Sequence, residues 1–159
     1  MSGLDVAVRI LDPRLPGWGF PRWGSALAAG LDLHACLDET LELAPQAPPV
    51  LIPAGFALAI RDPGWCAMVY PRSGLGHREG LVLGNTVGVI DADYEGPLMI
   101  SAWNRNPPGS VPLRIAPGER IAQAVFTRVG RPSLRVVEAF PDAQAAGRGA
   151  GGFGSTGRG

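Results

Sequence analysis

At 159 residues with 46% apolar content, the chain has the length of one domain and enough apolar surface for a sizeable core. Its 14 basic residues balance 14 acidic ones, so no net field draws it to nucleic acid or to a membrane, and any anion site must be local. Every basic residue is Arg, which excludes Schiff-base chemistry and lysine-dependent phosphate loops. The 23 glycines and 16 prolines fit many turns between short strands better than disorder, because apolar β-like runs separate them. Cys36 and Cys66 stand singly in apolar runs without a CxxC pair, so they read as small buried hydrophobes in a reducing setting. The start lacks the features of a signal peptide, and no apolar run is long enough to cross a bilayer; a soluble, cytoplasmic protein is expected.

Leu4 to Leu11 alternates and is rich in β-branched residues, which predicts a first strand ended by Asp12-Pro13. The loop LPGWGFPRWG follows, and its aromatic side chains suit a core edge or a neighbouring subunit. Ala29 to Leu37 predicts a strand with Asp32 and His34 on one face and Leu31, Leu33, Ala35 and Leu37 on the other. Four prolines make Leu41 to Pro53 a chain of turns and edge segments, and a strand restarts at Gly55 to Ile60. Trp65 to Tyr70 is a short apolar strand. PRSGLGHREG then forms a tight loop with room for one helical turn, where Arg72, Ser73 and free amides could build an anion nest.

The stretch GNTVGVIDADYEG, Gly84 to Gly96, predicts a short hairpin bringing Asn85, Asp91, Asp93 and Tyr94 to one pocket; the alternative is a solvated turn in which Asp-x-Asp caps backbone amides. Strands are expected again at Leu98 to Trp103, Val111 to Ile115 and Arg120 to Val129. In the last of these, Arg120, Gln123 and Arg128 interrupt an apolar run, and Gln123 is either a satisfied core amide or a site residue. From Ala145 the chain turns glycine-rich and cannot bury itself, which divides it into a β domain over 1–144 and a mobile arm over 145–159. With no convincing amphipathic helix and recurrent short strands, the expected class is all-β: a sandwich, barrel or jelly roll.

Five of these stretches, AGLDL with Asp32, PRSGLG with Arg72 and Ser73, GVIDADYEG, RIAQ with Gln123, and GFGST, stand in the order and wording of one family. The chain resembles the trimeric dUTPases. The resemblance implies a jelly-roll-like β subunit and a homotrimer whose active sites lie at subunit interfaces. It also implies hydrolysis of dUTP to dUMP and pyrophosphate, which limits uracil in DNA and supplies dUMP for thymidylate synthesis. By similarity, Asp91 is the general base for water attacking the α-phosphorus and Gln123 positions phosphate and water. Asn85, Gly88, Ile90, Met99 and the hairpin backbone hold the uracil nucleoside, with Tyr94 under the sugar to exclude a 2′-hydroxyl. Arg72, Ser73 and Gly74 meet the phosphates. In the arm, Phe153 stacks on uracil while Arg148, Gly154, Ser155 and Thr156 close over the phosphates.

Mg²⁺ is implied as cofactor, held mainly by the phosphates and water, with Asp32 acting through water. Asp93 is expected to be structural, and His34 and His77 to be surface residues or neighbours standing behind the site. No direct binding to nucleic acid or membrane is implied. Two other readings share the scaffold. One is a nucleotide-sensing regulator. The other is a dCTP deaminase-type enzyme, for which PLMISAWN offers Ser101 where a catalytic Glu is needed.

Overall fold

The computed structural model describes residues 3–140. The described residues form strands β1 (Ala7–Ile10), β2 (Leu31–His34), β3 (Leu41–Leu43), β4 (Val50–Ala59), β5 (Trp65–Pro71), β6 (Leu81–Leu83), β7 (Gly88–Ile90), β8 (Pro97–Asn104), β9 (Leu113–Ile115) and β10 (Arg120–Arg128). One four-stranded sheet runs β1-β4-β8-β6, a second runs β2-β10-β5-β7, and β3 pairs with β9 alone. Every pairing is antiparallel. The all-β, jelly-roll-like class expected from the sequence is the class observed.

Alternation along the strands builds the core. Ile52, Ala54, Phe56 and Leu58 of β4, with Leu98, Ile100 and Ala102 of β8, turn inward from the first sheet. They join one apolar cluster with Leu31 and Leu33 of β2, Ala67 and Val69 of β5, and Ala122 and Ala124 of β10 from the second. In the aromatic loop a 3₁₀ turn at Leu15–Trp18 buries Leu15 completely, and Phe20 lies against Phe56 with ring centroids 4.5 Å apart. The loop therefore closes a core edge, while Trp23 stays exposed. Cys36 and Cys66 are buried and free. No helix among the described residues is long and apolar enough to cross a membrane.

Two local expectations need correction, and one is narrowed. The proline-rich stretch does not end at Pro53: β4 runs through it to Ala59, and the register against β8 shifts between Pro53 and Ala57. Proline is tolerated at such an irregularity because no ladder amide is needed there. Gly55, at φ 81°, takes the bend, and its carbonyl accepts the Leu11 and Asp12 amides at 2.8 and 2.9 Å, which ends β1.

The stretch Gly84 to Gly96 is not a self-paired hairpin. β6, just before it, pairs with β8 in the first sheet, whereas β7 within it pairs with β5 in the second. The segment crosses between sheets, since each short strand finds a partner distant in sequence. Of the two placements open to His34, at the surface or behind the site, the structure excludes the first. Both faces of β2 are covered, and His34 is 1% exposed, 6.4 Å from the Trp18 ring, with its Nδ1 lacking a hydrogen-bond partner. His77 is exposed on a single π-helical turn, Leu75–Glu79, which fits the helical turn expected there.

Candidate functional site

The second sheet carries the polar residues at its centre. Gln123 of β10 lies opposite Asp32 of β2 on one side and Tyr70 of β5 on the other. The Gln123 side chain is partly buried, and its Nε2 donates to the Pro71 carbonyl at 3.1 Å, which fixes the orientation of the carboxamide. Its oxygen faces Gly30, where a Cβ would run into it. The glycine just before β2 thus makes room for the glutamine.

Asp32 is nearly enclosed, with 11% of its side chain exposed, and two guanidinium groups face it. Arg120 Nη1 is 2.9 Å from Oδ2, and Arg72 Nε is 3.6 Å from Oδ1. Charge-assisted contacts of this kind fix the position of a buried carboxylate. Arg72 leaves the end of β5, and its Nη1 donates to the Arg120 carbonyl at 2.9 Å. Its own carbonyl accepts the Gly76 amide at 2.9 Å, tying it to the PRSGLG turn in which Ser73 is exposed and Gly74 partly so.

The second group sits on the crossing segment. Thr86, at φ 61°, forms the turn after β6, and the Asn85 carbonyl accepts the Val87 amide at 2.7 Å and the Thr86 hydroxyl at 2.6 Å. A Cβ on Gly88 would come within 3.2 Å of Val69 Cβ and 3.6 Å of Asn85 Nδ2, so the strand packs closely against β5 with the amide side chain beside it. Ile90 is half-buried opposite Ala67. Beyond β7 the Asp91 carbonyl accepts the Tyr94 amide at 3.2 Å, while the Asp91 carboxylate is exposed and has no hydrogen-bond or ion-pair partner among the described residues. Tyr94 is exposed, with its hydroxyl tied to the Pro97 carbonyl. Asp93 is exposed, outside both groups of contacts.

Asp32, Arg72 and Gln123 are thus brought together, and Asn85, Gly88, Ile90, Asp91 and Tyr94 share the segment around β7. β5 joins the two groups: Tyr70 lies opposite Gln123, and the preceding Val69 lies opposite Gly88. Among the described residues no hydrogen bond or ion pair connects one group to the other. Met99 belongs to β8 of the first sheet, partly exposed opposite Pro53. Arg148, Phe153, Gly154, Ser155 and Thr156, and the boundary between 144 and 145, lie outside the described residues.

The sequence reading missed Arg120 as a site residue. On a regular strand, Arg120 and Gln123 would point to opposite faces, because three positions separate them. The register against β2 shifts between Arg120 and Ala122, so Arg120 faces His34 while Gln123 faces Asp32, and the extra residue returns Arg120 to the Asp32 side. Nothing in RIAQ announces the bulge. Among the described residues no three His, Cys, Asp or Glu side chains gather to hold a metal.

A model of the dUTPase family matches residues 18–157. The deoxyuridine 5'-triphosphate nucleotidohydrolase of Polynucleobacter asymbioticus is 50% identical over 154 residues, which cover 97% of this chain and 98% of that one. Among solved structures, the dUTPase of Staphylococcus bacteriophage 80alpha with dUpNHpp superposes with a TM-score of 0.81 at 28% identity, covering 96% of this chain and 98% of the other. A mutant dUTPase from phage phi11 of S. aureus, described with a structural Mg(II) ion, superposes at 0.70 and 25% identity over 86% of this chain and 98% of its own. Matched by the family model over residues 18–157 and by a relative 50% identical over nearly its whole length, the chain belongs to the dUTPase family.

Proposed function

We propose that this member of the dUTPase family, a dUTP diphosphatase, splits dUTP into dUMP and pyrophosphate by attack of water on the α-phosphorus, with Asp91 as general base. The observation that carries the proposal is the solvent-facing Asp91 carboxylate at the end of β7, unpaired among the described residues while Asp32 is held by two arginines. A general base must be ionised, reachable by water and free of a competing cation, and it contributes on the order of 10² to 10⁴-fold. Asp32 does not meet the last condition; Asp91 does.

The rest of the site follows from charge and shape. Arg72, Ser73 and Gly74 receive the phosphates, Gln123 orients phosphate and water, and Asn85, Gly88, Ile90, Tyr94 and Met99 hold the deoxyuridine part. Residues 145–159 form the arm that brings Arg148, Phe153, Gly154, Ser155 and Thr156 over the nucleotide and controls water access. Mg²⁺ would bind the triphosphate oxygens and water and lower their charge repulsion. The donor set fits that role: Asp32, with both oxygens facing arginines, suits contact through water better than direct ligation.

The active enzyme is a homotrimer with each site completed between subunits. Two groups of site residues without a direct bond between them support this, as do the exposed apolar residues Val89, Leu134, Val136 and Phe140. The chemistry is that of a cytoplasmic nucleotide-pool enzyme that limits uracil in DNA and supplies dUMP for thymidylate synthesis.

Pyrophosphate release from dUTP, UTP, dTTP and dCTP by the full chain, repeated with Asp91→Asn, tests the proposal. Preferential cleavage of dUTP that collapses in the variant is expected. Full activity in Asp91→Asn would overturn the role of Asp91, and a stable active monomer in sedimentation would overturn the shared site.

A further inference from the structure

Arg120 holds two of the site residues at once, one with each end of the residue. Its guanidinium is 2.9 Å from Asp32 Oδ2, and its backbone carbonyl accepts the Arg72 Nη1 hydrogen at 2.9 Å. Arg72 also faces the other oxygen of Asp32, but at 3.6 Å. One carboxylate therefore stands between a short, hydrogen-bonded guanidinium and a looser one. The contact geometry separates their duties: the shorter pair is the better fixed, and the longer is the one more easily exchanged for an incoming anion.

The backbone explains why Arg120 can do this. The bulge between Arg120 and Ala122 inserts Ile121, which is buried, and brings the Arg120 side chain to the same sheet face as Gln123. Without the extra residue the guanidinium would project toward the core, where Ala122 and Ala124 pack.

We propose that Arg120 is a positioning residue for the phosphate end of the site, and that its pairing with Asp32 leaves Arg72 available to the triphosphate. The inference rests on the function proposed above. Arg120 occupies Asp32 and so lowers the competition that this carboxylate offers to phosphate for Arg72. Its carbonyl meanwhile holds the Arg72 guanidinium at the edge of β10. Removal of the Arg120 charge leaves Arg72 as the remaining cation on Asp32 among the described pairs, which draws Arg72 away from the nucleotide. The effect is confined to ligands that carry the β- and γ-phosphates, because the nucleoside is held by the segment around β7.

The test compares Arg120→Gln and Arg120→Lys with the unaltered full chain, using kcat and KM for dUTP, the affinities for dUpNHpp and dUMP, and thermal melting. In Arg120→Gln, dUpNHpp affinity and kcat/KM should fall roughly 10- to 100-fold, the usual cost of losing an outer partner of a site carboxylate. The affinity for dUMP should change by less than about 2-fold, well below the tenfold step that 1.4 kcal/mol represents. Arg120→Lys, which keeps the charge, should recover the larger part. Equal losses for dUMP and dUpNHpp would make Arg120 a general structural residue, and unchanged kcat, KM and dUpNHpp affinity would remove its role; either result overturns the proposal. Activity retained in Asp91→Asn would instead strike the proposed mechanism, and the dUpNHpp and dUMP comparison would still decide the role of Arg120.

Discussion

The Tyr94 hydroxyl donates to the Pro97 carbonyl oxygen at 2.9 Å, and this bond folds the ring back over the backbone of Gly96. A Cβ on Gly96 would lie 2.6 Å from the hydroxyl oxygen and 2.7 Å from Cζ, too close for the ring to stay. Gly96→Ala is therefore expected to displace Tyr94. If Tyr94 excludes a 2′-hydroxyl, the ratio of kcat/KM for dUTP over UTP should drop roughly 10-fold, the scale of a small steric change in a pocket. Tyr94→Phe keeps the ring and loses a hydrogen bond worth about 1 kcal/mol, so its ratio should fall less. An unchanged ratio in Gly96→Ala separates Tyr94 from sugar selection.

Gly30 offers a test of Gln123 that leaves the glutamine in place. Its φ is not in the left-handed region, so the backbone accepts alanine, but the new Cβ meets the Gln123 carboxamide. Gly30→Ala should lower kcat by up to about 100-fold, the effect of a displacement near 1 Å at a reacting centre. The melting temperature should change little. Normal turnover would show that the orientation of Gln123 does not matter to the reaction.

Phe56 is fully buried and packs against Phe20, so it anchors the aromatic loop to β4. Phe56→Ala should cost about 3–5 kcal/mol of folding free energy through lost burial and the cavity left behind. With Phe20→Ala, the double variant should show a coupling of about 0.5–1.5 kcal/mol between the rings. Denaturant midpoints at one fixed protein concentration measure both, because association contributes to apparent stability. Additive effects would mean that the loop is held by Leu15 rather than by the ring pair.

His34 predicts a pH response of stability. Burial is the main force holding its imidazole below the ordinary value of 6.5; Arg120 and Arg22 push the same way, whereas Asp32 and the Trp18 backbone oppose them. The unfolded chain therefore binds the proton first as pH falls. The stability associated with His34 is fully present above about pH 6.5 and is lost as pH falls from there through the lowered folded-state value. Melting temperature measured from pH 8 to pH 5 should decline over that window. In His34→Phe the part of the decline belonging to His34 should vanish; an identical slope in both proteins would assign it to other groups.

Much of the fold was legible because apolar alternation is a local signal. The first strand, β2 and β10 lie within the stretches that the sequence assigned to them, while β5 runs one residue past its stretch and β8 one residue past each end of its own. The pairing of the Gly84 to Gly96 segment was misread from the sequence. Its glycines and β-branched residues show that the chain turns and extends, yet they say nothing about whether β7 pairs with a neighbour in sequence or with β5. The burial of His34 was hidden for a related reason. Asp32 and His34 mark one face of β2 as polar, but whether solvent or Trp18 meets that face depends on a loop folded from elsewhere.

The sequence by itself determined the class of the fold, the stretches that hold β1, β2, β5, β8 and β10, the restriction of its cations to arginine, and the family to which its five motifs point. These follow from residue type and short-range periodicity, which are properties of the chain read one window at a time. Only the tertiary structure decided that the crossing segment joins two sheets, that Asp32 is shared between Arg72 and Arg120, and that Gln123 lies in the space left by Gly30. The physical reason is that backbone amides and carbonyls are alike in every strand, so pairing is chosen by the packing of the whole. A single inserted residue such as Ile121 then changes which side chain faces the site.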